Sequence, residues 1–229
     1  MVDLEFEGGI ARIFLNRPEK VNALNSVLLQ ALLDAVHRAG DLPDLRIVVL
    51  AGRGRSFCGG ADVQELSSLT ASNAGAFVER IHNVCAALRR LPVPVLASVH
   101  GAVIGAGLEI AAACDLRIAA EGTRFAMPEV RLGIPSVVEA ALLPRLMGAG
   151  RAAWLVLTGE PIDARRALEW GLVEALGDES AARALIETLL RNDRQALRMQ
   201  KELLQLWEEA PLPQSIERSI ALFAASKNK

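Results

Sequence analysis

The stretch SVHGAVIGAGLEIAAACDLRIAAEGTRFAMPE, residues 98–129, constrains the fold more than any other part of this chain. It begins inside a buried aliphatic run at 95–99. A glycine-rich turn then opens an apolar helix that reaches about residue 113, and a second aliphatic run follows at 116–120. Runs that are apolar throughout fit strands covered on both faces. Their alternation with helices predicts a stacked or wound α/β core. The same stretch sets two carboxylates, Glu109 and Glu129, beside the glycine turn.

The rest of the first half keeps this rhythm. Residues 4–6 and 10–16 read as a hairpin around 7–9. Ser26 is placed to cap a helix to about residue 38, with Val27, Leu28, Ala31, Leu32 and Ala35 as its apolar stripe. A buried strand is predicted at 45–50, a short helix at 63–67, and an amphipathic helix at 76–91 that stops at Pro92. From Val137 onward the chain turns helical. A helix at 164–171 ends on a glycine, a short strand is expected at 172–175, and helices at 181–190, 195–207 and 212–225 close the chain. The predicted organisation is an α/β core over residues 1–175 and a helical C-terminal region over 176–229 that packs on a neighbouring subunit.

Composition excludes several function classes. With 52% apolar and 23% charged residues the chain is folded rather than disordered. A net charge of −2 gives no reason to expect a nucleic-acid partner. Cys58, Cys85 and Cys114 are odd in number and lack metal spacing, so reduced thiols in a cytoplasmic protein are expected. The start MVDLEFEGG is too acidic and too polar for a signal peptide. The longest apolar stretch, 93–120, is interrupted by His100, Gly101, Gly105, Gly107, Glu109, Asp115 and Arg117, which argues against a membrane span. No zinc-ligand cluster or Walker loop occurs. GAVIGAG lacks the third glycine and the distal acid of a dinucleotide fingerprint. No metal and no separate cofactor is expected.

Two glycine turns carry the chemistry: CGGAD at 58–62 and GAGLE at 105–109. Each follows an apolar run and opens a helix, where backbone N–H groups have no intrahelical acceptor. Two such groups converging on one carbonyl oxygen would form an oxyanion hole. The alternative is a pair of ordinary strand-to-helix turns. Glu109 would stand one helical turn above Ala106, as a working acid or as a first-turn acid favoured by the helix dipole. Glu129 lies in an apolar loop with Phe125, Ala126, Met127, Val130 and Leu132, where desolvation would raise its pKa. A surface acid paired with Arg131 is its other reading. His100 and Asp115 read as turn residues, His37 and His82 as surface residues, and Trp154, Trp170 and Trp207 as packing residues.

The segments NRPEKVNALN, RSFCGGADVQEL, PVPVLASVHGAVIGAGLEIAAACDLRIAA, FAMPEVRLGIP and LTGEPIDARRALEWGLVE resemble the enoyl-CoA hydratase/isomerase, or crotonase, family in order and over roughly residues 10–175. The resemblance implies a crotonase-like spiral of ββα units, acyl-CoA thioester substrates, and homotrimers that often pair as hexamers. It assigns the oxyanion donors to the N–H groups of Ala61 and Ala106 and the acid–base pair to Glu109 and Glu129. It assigns CoA and acyl contacts to Lys20, Val21, Ala23, Leu24, Gly59, Gly60, Asp62, Val63, Gln64, Gly105, Pro128, Ser136 and Val137. Both glutamates together imply hydration of the 2,3 double bond of a 2-enoyl-CoA, with coenzyme A as part of the substrate.

The sequence departs from the family pattern in three places. Ala106 stands where a glycine is common, although an alanine keeps the N–H. SVVEAALLPRL replaces a glycine-rich run after GIP, which makes Val137 and Val138 bulkier walls and leaves Glu139 as an extra acid, read as a surface helix start. The tail that often covers CoA in relatives is not recognisable. Isomerase or decarboxylase chemistry on the same scaffold, or a non-catalytic acyl-CoA-binding subunit, are the competing readings. A Clp-type serine peptidase would need a serine in the 105–107 turn, and none is there.

Overall fold

The protein is described by a computed structural model over residues 1–227. It opens with a hairpin of β1 (Val2–Glu7) and β2 (Ile10–Leu15), followed by α1 (Ser26–Gly40) and β3 (Ile47–Gly52). Then come α2 (Val63–Ser68), α3 (Ala74–Arg90), β4 (Val95–Val99), β5 (Ala102–Ile104), α4 (Ala106–Ala112), β6 (Leu116–Ala119) and β7 (Arg124–Ala126). The remainder is mostly helical: α5 (Leu143–Met147), α6 (Ala149–Thr158), β8 (Ile162–Asp163), α7 (Ala164–Trp170), β9 (Ala175–Leu176), α8 (Glu179–Leu190), α9 (Arg194–Glu209) and α10 (Leu212–Ala225).

The strands form two sheets. Six lie in the order β1-β2-β3-β4-β6-β9, parallel except for β1. Three form a smaller sheet, β5-β7-β8, in which β5 and β7 are parallel. From β4 to β7 successive strands go alternately to the two sheets. After β4 in the large sheet and β5 in the small one, α4 leads back to β6 and then β7. This is a spiral of ββα turns, and the expected α/β class holds. Two single bridges, Leu24 with Ala61 and Cys58 with Val103, continue the small sheet past β5. The core fills the space between the layers, with Phe57, Phe125, Leu50 and Leu88 among its largest buried side chains.

Several local expectations need correction. The cap of α1 is Asn25, whose Oδ1 accepts the Leu28 N–H at 2.8 Å. The Ser26 hydroxyl instead donates to Glu65. The strand expected at 172–175 is displaced to Ala175–Leu176, because the Leu172 carbonyl accepts from the Arg117 guanidinium at 2.8 Å. β5, β7 and β8 went unrecognised, since strands of two or three residues are too short to show alternation. Trp154 and Trp170 pack edge to face at 5.5 Å, whereas Trp207 is half exposed. The helical C-terminal region is α8–α10; its last two residues lie outside the described ones. Among the described residues no helix is long and apolar enough to cross a membrane.

One buried cation ties that region to the core. Lys201 on α9 donates to Asp115 Oδ2 at 2.8 Å, to the Val93 carbonyl at 2.9 Å and to the Leu88 carbonyl at 3.3 Å. Asp115 also accepts the Val95 N–H at 2.7 Å, so it is the turn residue expected. Lys201→Met keeps the stem but strands an acid and two carbonyls. It should cost about 2–4 kcal/mol in urea unfolding. A loss under about 1 kcal/mol would show that the anchor contributes little.

Candidate active site

The register of the small sheet assembles the site. Cys58 pairs with Val103, and Val103 with Phe125. Three residues beyond each paired residue come Ala61, Ala106 and Pro128, just past the end of the small sheet. Glu129 is the next residue. Segments far apart in sequence thus end side by side.

The close approach depends on two glycines. A Cβ on Gly107 would lie 2.7 Å from Cys58 Cβ and 2.9 Å from its carbonyl oxygen, so α4 packs on the first turn only without a side chain there. Gly105 has φ 52°, and a Cβ on it would meet Glu129 Oε1 at 2.3 Å. The Glu129 carboxylate therefore rests almost against the Gly105 backbone.

The amides are set by the same ladder. Leu24 N–H donates to the Gly60 carbonyl and its own carbonyl accepts from Asp62, both at 2.8 Å. In a parallel ladder the intervening residue turns its own N–H away from that partner. Among the described residues the Ala61 N–H has no acceptor. The Ala106 N–H begins α4 and has none either.

A cavity of about 230 Å³ joins these groups. Of the residues picked from the sequence, Gly59, Gly60, Ala61, Val63, Gly105, Ala106, Glu109, Pro128, Glu129 and Val137 line it. Leu66, Phe77, Val78, Ile81, Leu132 and Ile134 make the rest of the wall apolar. A larger hollow of about 610 Å³ lies elsewhere, bordered by Glu5, Arg12, Arg53 and Arg183. It contains neither glutamate of the pair and neither free amide.

The two acids lie in unlike surroundings. Glu109 is 4% exposed and accepts the Ala140 N–H at 3.2 Å. Desolvation, then the charges of Glu129 and Glu139, push it up to about 8 against the Ala140 hydrogen bond. Glu129 is half-buried and accepts from the Ser136 hydroxyl at 3.1 Å. Burial raises it too, partly offset by hydrogen bonds from Ser136 and its own N–H. The reading of Glu129 as a surface acid paired with Arg131 therefore fails, and Arg131 pairs with Glu160 instead.

The remaining predicted contacts sit around the cavity rather than on its wall. Lys20 is exposed at the end of the 3₁₀ turn Pro18–Lys20. Val21, at φ 56°, accepts the Gly59 N–H at 2.8 Å. The Ala23 carbonyl accepts from Arg17, and Leu24 is fully buried. Asp62 caps α2 by accepting the N–H of the exposed Gln64 at 2.9 Å. It pairs with Arg17 at 2.6 Å, and that contact holds its carboxyl below the usual range. Ser136 reaches the site through Glu129. His100 binds the Gly54 carbonyl, a structural role.

Sequence reasoning missed Asn22. It is fully buried, accepts the Arg17 N–H at 2.8 Å and donates to the carbonyls of Arg53, Ser56 and Phe57. It thereby ties the Lys20–Leu24 loop to the turn that ends at Ala61. A polar residue inside the apolar run VNAL was the available signal. Glu139 was expected on the surface but is buried. Among the described residues no group of three or more His, Cys, Asp or Glu is placed to hold a metal ion.

Known proteins share this arrangement of chain. The family model for enoyl-CoA hydratase/isomerase matches residues 5–229. A Mycobacterium leprae protein named "Probable enoyl-CoA hydratase echA8" is 35% identical over 216 residues, covering 92% of this chain and 83% of that one. The crotonyl-CoA hydratase of Syntrophomonas wolfei is 39% identical over 175 residues, covering 74% of this chain and 66% of its own length. The crystal structure of an enoyl-CoA hydratase from Mycobacterium smegmatis superposes with a TM-score of 0.96 at 28% identity, covering 100% of this chain and 91% of that chain. A spiral that brings two glycine turns and two glutamates to one cavity, together with these matches, makes the chain a member of the enoyl-CoA hydratase/isomerase family.

Proposed function

We propose that the protein adds water across the 2,3 double bond of a 2-enoyl-CoA thioester to give a 3-hydroxyacyl-CoA. The observation that carries this reading is that Glu109, Glu129 and two amides without acceptors, Ala61 and Ala106, border one small cavity. The thioester oxygen would accept from both amides. As the water oxygen bonds to C3, a carboxylate takes its proton, and the double-bond electrons move through C2 onto the thioester oxygen. C2 then takes a proton from the acid pair, and the thioester carbonyl re-forms. Donors aimed at that oxygen stabilise the enolate, each by roughly 3–4 kcal/mol. An acid raised toward neutrality exchanges protons readily at cellular pH. The Glu129 charge helps to raise Glu109, and the roles of acid and base are not divided between the two. No metal or redox group enters this scheme.

The Lys20–Leu24 loop and the Gly59–Gln64 segment would wall the CoA moiety. The cavity is small beside ligand pockets of about 300–1,000 Å³, which favours short acyl chains. Leu212, Ile216, Ile220 and Phe223 form an exposed stripe on α10, 52–72% accessible, which a homotrimer or hexamer would cover.

The test is a panel of 2-enoyl-CoAs from four carbons upward, followed by loss of the conjugated absorbance and by product mass. Short chains should turn over at least about tenfold faster than long ones, with a gain of one water. Product of unchanged mass would favour an isomerase instead, and tight binding without turnover a non-catalytic acyl-CoA subunit. Equal rates at every length would remove the short-chain assignment.

A further inference from the structure

The segment from Ser136 to Ala140 touches both glutamates. The Ser136 hydroxyl donates to Glu129, and the Ala140 N–H donates to Glu109. Between them Val138 is held at φ 40°, a left-handed conformation that a β-branched residue adopts only when its surroundings impose it. Glu139 is the residue that faces inward. Its side chain is 9% exposed, and Oε1 accepts from His82 Nδ1 on α3 at 2.8 Å. Its other oxygen, Oε2, is buried without a well-formed hydrogen bond, and the Cys85 thiol lies beside the carboxyl. A buried carboxylate oxygen so weakly satisfied is costly, so the position needs a compensating reason.

We propose that Glu139, clamped by His82, is a positioning residue that locks the 136–140 segment against α3 and so aims Glu109 and Glu129 into the cavity. The clamp lies behind the wall and does not itself line the cavity. The titratable groups that face Glu139 are His82 and Cys85 on α3 and Glu109 on α4. The Glu139 charge adds to the forces that raise Glu109, so the clamp acts on the charge of Glu109 as well as on its place. The buried Cys85 thiol, raised by desolvation and then by Glu139 and Glu109, adds no charge of its own near neutral pH.

The inference deepens the hydratase reading and rests on it for its kinetic arm, so the test has a second arm that needs no turnover. In protein labelled with 13C at glutamate Cδ, the Glu109 signal is assigned by its loss in Glu109→Gln and titrated in wild type and Glu139→Gln. Glu139→Gln should move the Glu109 midpoint to lower pH; a superimposable titration overturns the charge coupling. In the kinetic arm, His82→Ala and Glu139→Ala should each lower kcat about 10–100-fold with KM changed less than threefold. The double variant should lose no more than either single one, and His82→Gln, which can still donate, should recover most of the loss. Additive losses, or a fall in melting temperature with kcat and the Glu109 midpoint unchanged, would reduce Glu139 to a packing residue. Absence of turnover in the wild type would sink the hydratase reading, while the titration would still decide the charge coupling of Glu139 to Glu109.

Discussion

Glu109→Gln is expected to remove turnover and stabilise the fold at once. Glutamine keeps the acceptor for the Ala140 N–H but cannot exchange a proton, and loss of a positioned acid–base group costs about 10²–10⁴ in rate. The stability effect follows from burial. A carboxyl near 4.5 when unfolded and about 8 when folded contributes fully below pH 4.5, and that contribution is lost as pH rises through 8. The glutamine variant has no such loss. Its advantage should be near zero at pH 5 and reach about 2–4 kcal/mol by pH 9, or roughly 4–16 °C in melting temperature. Thermal melts of both proteins from pH 5 to 9 check this. A difference that does not grow with pH would mean that Glu109 ionises freely and is not the desolvated acid described above. Retained hydratase activity would remove it from the mechanism.

Gly105→Ala should disturb the site directly, because its methyl group meets the Glu129 carboxylate. The added Cβ would lie 2.3 Å from Glu129 Oε1, and the backbone there has φ 52°. Either the Glu129 carboxylate moves away or the turn that presents the Ala106 N–H opens. Both outcomes misplace a reacting group, and a displacement of about 1 Å can cost 10²-fold. We expect kcat to fall by at least that factor, with roughly 1–2 kcal/mol of stability lost to the left-handed alanine. The control is Gly122→Ala, where a Cβ meets nothing within 4 Å; it should leave kcat within twofold. Normal turnover in Gly105→Ala would mean that Glu129 is not held against this backbone during the reaction.

Much of the large sheet was legible because buried parallel strands are apolar without interruption. The runs that became β3, β4 and β6 needed nothing but that pattern. The small sheet was hidden for the opposite reason. β5 is three residues inside a glycine turn, and the two bridges beyond it are single residues, so no periodicity marks them. At the site, Glu129 stood out as an acid in an apolar loop, and Glu109 by its place after a glycine turn. Asp62 and Ser136 could be picked out by neighbourhood but not by orientation. The Asp62 carboxylate is taken by Arg17, 45 positions earlier, and Ser136 reaches the cavity only through Glu129. Glu139 read as a surface acid because its partner, His82, lies 57 positions away on another element.

By itself the sequence determined the alternation of strands and helices, the two turns with amides to spare, and the acids beside them, since each follows from local composition and spacing. Only the tertiary structure decided which turns meet. Register across the small sheet leads Ala61, Ala106 and Pro128 to one cavity, and glycines at 105 and 107 allow the contact. Whether an acid is desolvated depends on what covers it, and that cover comes from distant parts of the chain.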